Sequence, residues 1–204
     1  ARAELEAQVA ARTQAAAGAA RQHDVVVVPA VVVPAAAAVD PFVVTSADGY
    51  CRISIDTSKS PELKGWAEEK LAPVLVEWYP KITKLLASDG FVAPKRFSLR
   101  IAPGSGVAAT SGTRITANAT WLKDQLQGEA VGAIIHEVVH VVQQYNSGRR
   151  GGSRPPGWLV EGVPDYVRFF IYEPQNHGAD TVWFRARRNT NFNYDGLYRV
   201  SANF

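Results

Sequence analysis

The chain has 204 residues, of which 47% are hydrophobic and 20% charged. That is enough apolar material for a sizeable core and too much for a disordered polymer. A formal net charge of +3 is too small to imply a nucleic-acid partner. The single cysteine, Cys51, excludes an internal disulfide and a thiolate metal site, so any metal must be held by histidines and carboxylates.

Residues 1–22 are rich in Ala, Glu, Gln and Arg, which favour helix, but carry only a weak apolar stripe at Leu5 and Val9. A low-complexity tract of Val, Pro and Ala follows. It is too short for a membrane span and is broken by Pro29 and Pro34. Residues 1–40 are therefore expected to form a pro-segment, arm or linker, in which His23 and Asp24 are the only side chains suited to blocking a metal. A chain that begins at Ala1 and contains no Met is expected to be a processed product.

From Asp40 the sequence reads as a domain, 41–204. Cys51 to Thr57 alternates as a strand does, and Ser60-Pro61-Glu62 opens a helix that breaks or kinks at Pro73 and Pro80. Phe97 to Ile101 is a second strand, and Ala102 to Gly112, with three glycines, reads as a loop. Thr113 to Ala117 is β-prone and stands just before the next helix. Its position predicts an edge strand along a cleft, with Ile115, Ala117 and Ala119 available to pair with an extended peptide. Asn118-Ala119-Thr120 is also a glycosylation sequon.

The stretch Val131 to Tyr145, VGAIIHEVVHVVQQY, carries the chemistry. His136 and His140 lie one helical turn apart on a single face, and Glu137 flanks them. This is H-E-x-x-H, in which two imidazoles hold Zn²⁺ and the glutamate handles a proton of water. The same letters also fit a core helix whose histidines bond to carbonyls. The surrounding valines and isoleucines predict burial on all sides, which makes three polar groups costly unless each has a partner.

Catalytic zinc takes three protein ligands. The positions that would supply a third histidine in the metzincin pattern hold Gln143 and Asn146. Beyond the Gly, Arg and Pro loop Ser147 to Gly157, a second helix, Trp158 to Tyr172, carries Glu161 and, four residues on, Asp165. Glu161 suits the third ligand, and Asp165 suits the ring N–H of His136. The chain then turns polar and basic at Arg185, Arg187 and Arg188, and Tyr194 to Phe204 reads as the start of a third helix, as if the chain were a fragment of a longer one.

GVAATSGTRITANATWL, VGAIIHEVVHVVQQYN, GWLVEGVPDYVR and YDGLYRVSANF, in that order, resemble the plant and bacterial basic secretory protein peptidases, in the gluzincin-like branch of zincin metallopeptidases. The resemblance runs from about Ile53 to Phe204. It implies an α+β zincin-like domain: a twisted mixed sheet whose edge strand lies along the cleft, packed on the metal-binding helix, then a mainly helical C-terminal part. It also implies His136, His140 and Glu161 as ligands of one Zn²⁺ per chain, Glu137 as the catalytic residue, and a secreted or extracytoplasmic location. Pro164 departs from the small helix-forming residue expected between Glu161 and Asp165.

The expected activity is zinc-dependent hydrolysis of peptide bonds, as an endopeptidase on a peptide or protein substrate. Tyr198, His177 and Tyr145 are the candidates for a donor to the oxyanion. Two other functions fit the same letters. One is a catalytically silent zincin scaffold acting in binding or defence. The other is a polyanion-binding surface built on Arg149, Arg150, Arg185, Arg187 and Arg188.

Overall fold

The computed structural model describes residues 41–145 and 155–176. Five strands form one mixed sheet: β1 (Phe42–Thr45), β2 (Arg52–Asp56), β3 (Arg96–Ala102), β4 (Ala108–Ser111) and β5 (Arg114–Asn118). Their spatial order is β1-β2-β3-β5-β4. β2, β3 and β5 run parallel, and the two outer strands pair antiparallel to their neighbours. Alternation does the sorting. Ile53, Ile55, Phe97, Leu99, Ile101, Ile115 and Ala117 face inward and are buried, while Arg52, Arg96, Arg100 and Arg114 stay exposed.

The buried face is covered by helices. The segment after β2 begins with a 3₁₀ turn, Pro61–Leu63, passes through a π turn, Ala67–Leu71, and settles into α1 (Ala72–Leu85). Ser60 stands at the N-cap position of this turn but makes no side-chain cap bond. Pro73 sits in the first turn of α1, where its missing N–H is harmless, so the irregular π turn falls just before it. Pro80 lies inside α1 without ending it. Its missing N–H releases the carbonyl of Val76, four residues earlier, and that oxygen accepts a bond from Ala47 N–H at 2.9 Å. The proline thus ties α1 to the β1–β2 turn.

Three further helices follow: α2 (Ala119–Asp124), α3 (Ala130–Gln143) and α4 (Gly157–Tyr166). Helix α3 is dense in β-branched residues, which are poor helix formers, and depends on packing rather than propensity. Nearly all its residues are buried, including Ile134, Ile135, Val138, Val139, Val141 and Val142. It ends at Gln144, which takes a left-handed φ of 50°. The Gln144 side-chain amide bonds to the carbonyl of Gly112 at 3.1 Å, joining the helix end to the β4–β5 turn. At the other end a side chain on Gly132 would run into the Glu173 carboxylate. Glycine there lets the segment after α4 lie against α3, where Arg168 bonds to both Glu173 and Glu129.

The architecture is α+β, a mixed sheet followed by helices. The sheet corrects two expectations. The stretch from Ala102 to Gly112 is not all loop, because it contains β4. Nor is β5 an edge: it lies between β3 and β4, with Ile115 and Ala117 turned into the core, and Ala119 begins α2. The reason is the hairpin. Gly112, at φ 60°, starts a two-residue turn that folds β4 onto the outside of β5, and the short, small-residue strand takes the edge while the one carrying isoleucine goes inside. No helix among the described residues is long and apolar enough to cross a membrane.

The sequon asparagine is a helix cap. Asn118 Oδ1 accepts from Thr120 N–H at 3.0 Å, and Nδ2 donates to the Gly106 carbonyl at 2.8 Å. Asn118→Ala removes both bonds and is expected to lower stability by about 1–2 kcal/mol, measured as a shift in urea midpoint. An unchanged midpoint would show that α2 starts without this cap.

Candidate metal centre

Helices α3 and α4 lie side by side, and each contributes half of a polar cluster inside an apolar surround. His136 and His140 project from α3 to meet Glu161 of α4. His136 Nε2 is 3.2 Å, and His140 Nε2 3.0 Å, from the same oxygen, Glu161 Oε2. The three ligand atoms all lie within 4.8 Å of one another. A tetrahedral zinc site with bonds of about 2.0–2.2 Å needs donor atoms roughly 3.3–3.6 Å apart, so small side-chain adjustments suffice.

The outer nitrogens are already engaged. His136 Nδ1 donates to Asp165 Oδ1 at 2.9 Å, and Asp165 is only 1% exposed. His140 Nδ1 lies 2.9 Å from Gln143 Oε1. With the Nδ1 protons committed outward, both Nε2 atoms present lone pairs toward a carboxylate oxygen. Three acceptors at such separations repel unless a positive charge sits among them. A proton can supply it. Burial disfavours a charged His136, but hydrogen bonds to Asp165 and Glu161 outweigh burial and raise its pKa to about 9. Burial likewise works against ionised Glu161, but the two histidines win and draw it down to about 2. A divalent cation supplies the charge while using all three lone pairs, and the residues fit it.

Glu137 stands next to this cluster. It is 8% exposed, and Thr110 Oγ1 on β4 donates to its Oε2 at 2.7 Å while lying 3.1 Å from its main-chain carbonyl. These groups line a cavity of about 370 Å³. One wall is β4 with Gly112, and the opposite wall is built from α3 and α4. Tyr145 lies at the rim, 40% exposed. Cys51 is buried in the core, and burial pushes its thiol up to about 11, which leaves it inert at neutral pH.

The structure thus brings together His136, His140, Glu137, Glu161 and Asp165. It does not bring Ile115, Ala117 or Ala119 to the cavity; Ala108, Ala109, Thr110 and Ser111 of β4 are there instead. His177, Tyr198, His23, Asp24 and the five arginines of the polyanion reading lie outside the described residues. Two contributors escaped the sequence reading. Gln143, three residues after His140, carried a helical-spacing signal that could have found it; Thr110 reaches Glu137 only through the register of a strand not recognised.

No curated protein and no solved structure matches the chain. The sequence model of a family described as a peptidase of plants and bacteria matches residues 95–204, the span that holds β3 to β5, both metal-cluster helices and the remainder of the chain. The match starts later than the resemblance from Ile53 suggested, and it includes every residue of the cluster. By that match over more than half its length, the chain belongs to the BSP family of plant and bacterial peptidases.

Proposed function

We propose that the chain is a zinc-dependent, gluzincin-like endopeptidase that works outside the cytoplasm, with His136, His140 and Glu161 as the ligands of one Zn²⁺. The observation that carries this reading is the convergence of two imidazole Nε2 atoms and one carboxylate oxygen beside Glu137. The location rests on the family resemblance alone. Zinc, when bound, supplies a Lewis acid that polarises the scissile carbonyl and makes a coordinated water acidic enough to lose a proton near pH 7.

The protein groups do the rest. Glu137 accepts the proton from the attacking water and returns it to the departing amine. Thr110 engages Oε2, which leaves Oε1 to take that proton. Asp165 and Gln143 keep the Nδ1 protons of the two histidines, so Nε2 is the ligand atom in both. An extended substrate adds as a strand to the outer edge of β4, because β4 is the last strand of the sheet among the described residues and lies along the cavity. The oxyanion donor is proposed among Tyr145, His177 and Tyr198. Of these, Tyr145 is the one described at the cavity.

Glu137→Gln keeps the shape and the zinc but loses the base, and casein hydrolysis is expected to fall by about 10²- to 10⁴-fold. Wild-type turnover in this variant would remove Glu137 from the mechanism. Thr110→Val takes away the bond to Glu137. It is expected to lower kcat about tenfold with KM nearly unchanged, whereas Thr110→Ser should retain most of the rate.

Elemental analysis is expected to find about one zinc per chain. With free zinc 100-fold above its Kd, the folded state gains about 2.7 kcal/mol, so chelation should lower Tm. An unchanged Tm together with no bound metal would favour the silent scaffold over the enzyme.

A further inference from the structure

Pro164 lies inside α4, three residues after the ligand Glu161 and one before Asp165. Proline has no N–H, and its ring crowds the carbonyl four residues back, here that of Val160. The Val160 oxygen therefore lacks its helical partner. It does not go unused: Gln143 Nε2 donates to it at 3.2 Å, and the other end of the same amide, Oε1, faces His140 Nδ1 at 2.9 Å.

The chemistry of this chain of contacts has one direction. A main-chain carbonyl only accepts, so the end of Gln143 that faces Val160 must be the NH₂ group. The end facing His140 is then the oxygen, which also only accepts. His140 must place its proton on Nδ1, and its Nε2 lone pair is left for the metal. Gln143 is buried, 9% exposed, so water is a poor substitute at either end.

We propose that Pro164 is a positioning residue for the metal centre: by releasing the Val160 carbonyl it sets the orientation of the Gln143 amide, which fixes the tautomer of His140. The device rests on the metal reading of His136, His140 and Glu161. It gives a role to the residue at which this chain departs from the expected pattern, and it crosses between helices. A carbonyl of α4, which supplies Glu161, controls a ligand on α3.

The test compares zinc affinity, by competition with a chromophoric chelator, and thermal stability of the chain treated with chelator, for wild type, Gln143→Leu and Pro164→Ala. Gln143→Leu is expected to weaken zinc binding by about 10- to 100-fold. Pro164→Ala returns an N–H that competes for the Val160 oxygen. A carbonyl has two lone pairs, so the loss is smaller, about threefold to tenfold. That variant also regains a helical hydrogen bond, so its Tm is expected to rise while zinc affinity falls. A purely structural proline would move both in the same direction. Zinc affinity at or above wild type in Pro164→Ala overturns the proposal, as does unchanged affinity in Gln143→Leu. A wild-type chain that takes up no zinc overturns the metal reading and this proposal together, an outcome recognisable from the wild-type arm alone.

Discussion

The structure around the cleft depends on one electrostatic constraint, which is that three acceptor atoms are held together inside an apolar surround. His136 Nε2 and His140 Nε2 stand 3.2 and 3.0 Å from Glu161 Oε2, and three acceptors at that spacing call for a positive charge among them, a proton or a cation. Apolar side chains at these positions would pack α3 against α4 at lower cost, since desolvating charged groups is expensive. The polar cluster is therefore a poor choice for stability alone. Its outer partners follow from the same constraint. Asp165 and Gln143 occupy the Nδ1 protons, and without them each imidazole could present the wrong nitrogen.

Holding that geometry requires two helices at fixed spacing, and the rest of the fold supplies it. Sheet residues such as Leu99, Ile101 and Ile115 present an apolar face that shares one buried cluster with the valines and isoleucines of α3. Gly132 lets the segment after α4 approach the start of α3, and the Arg168 pairs with Glu129 and Glu173 fasten it there. At the other end of α3, Gln144 accepts an unfavourable left-handed backbone conformation and reaches Gly112 in the β4–β5 turn. The same hairpin carries Thr110 to Glu137, so one element sets both the cavity wall and the carboxylate.

How much of this was legible in the sequence depended on the range of each signal. His136, Glu137 and His140 are related by helical periodicity, and Glu161 and Asp165 by the same rule on the next helix, so the cluster could be written down before any fold was known. β2, β3 and β5 were also readable from their alternation, whereas β1, four residues at the start of the domain, was not recognised. Which strand sits at the edge was not readable. Sheet order is decided by pairing between distant segments, and β4, four small residues between Val107 and Gly112, has neither length nor hydrophobicity to announce itself. Mistaking β5 for the edge moved the proposed substrate contacts by one strand and hid Thr110.

The two prolines inside helices show where a purely local rule falls short. Read locally, Pro164 is a helix breaker that throws the geometry of Asp165 into doubt, and Pro80 is a break in α1. Both helices continue through them. In each case the carbonyl four residues earlier gains a partner outside its own helix: Ala47 N–H for Val76, and the Gln143 amide for Val160. An interior proline costs a helix about 3 kcal/mol in isolation, but part of that cost is the acceptor left without a donor, and a second element that brings the donor recovers it. The released oxygen then works as a fixed point from which one helix can orient a side chain on another. At Val160, next to Glu161, such a fixed point would turn a defect in helix propensity into control over which nitrogen of His140 faces the cleft, as proposed for the metal centre.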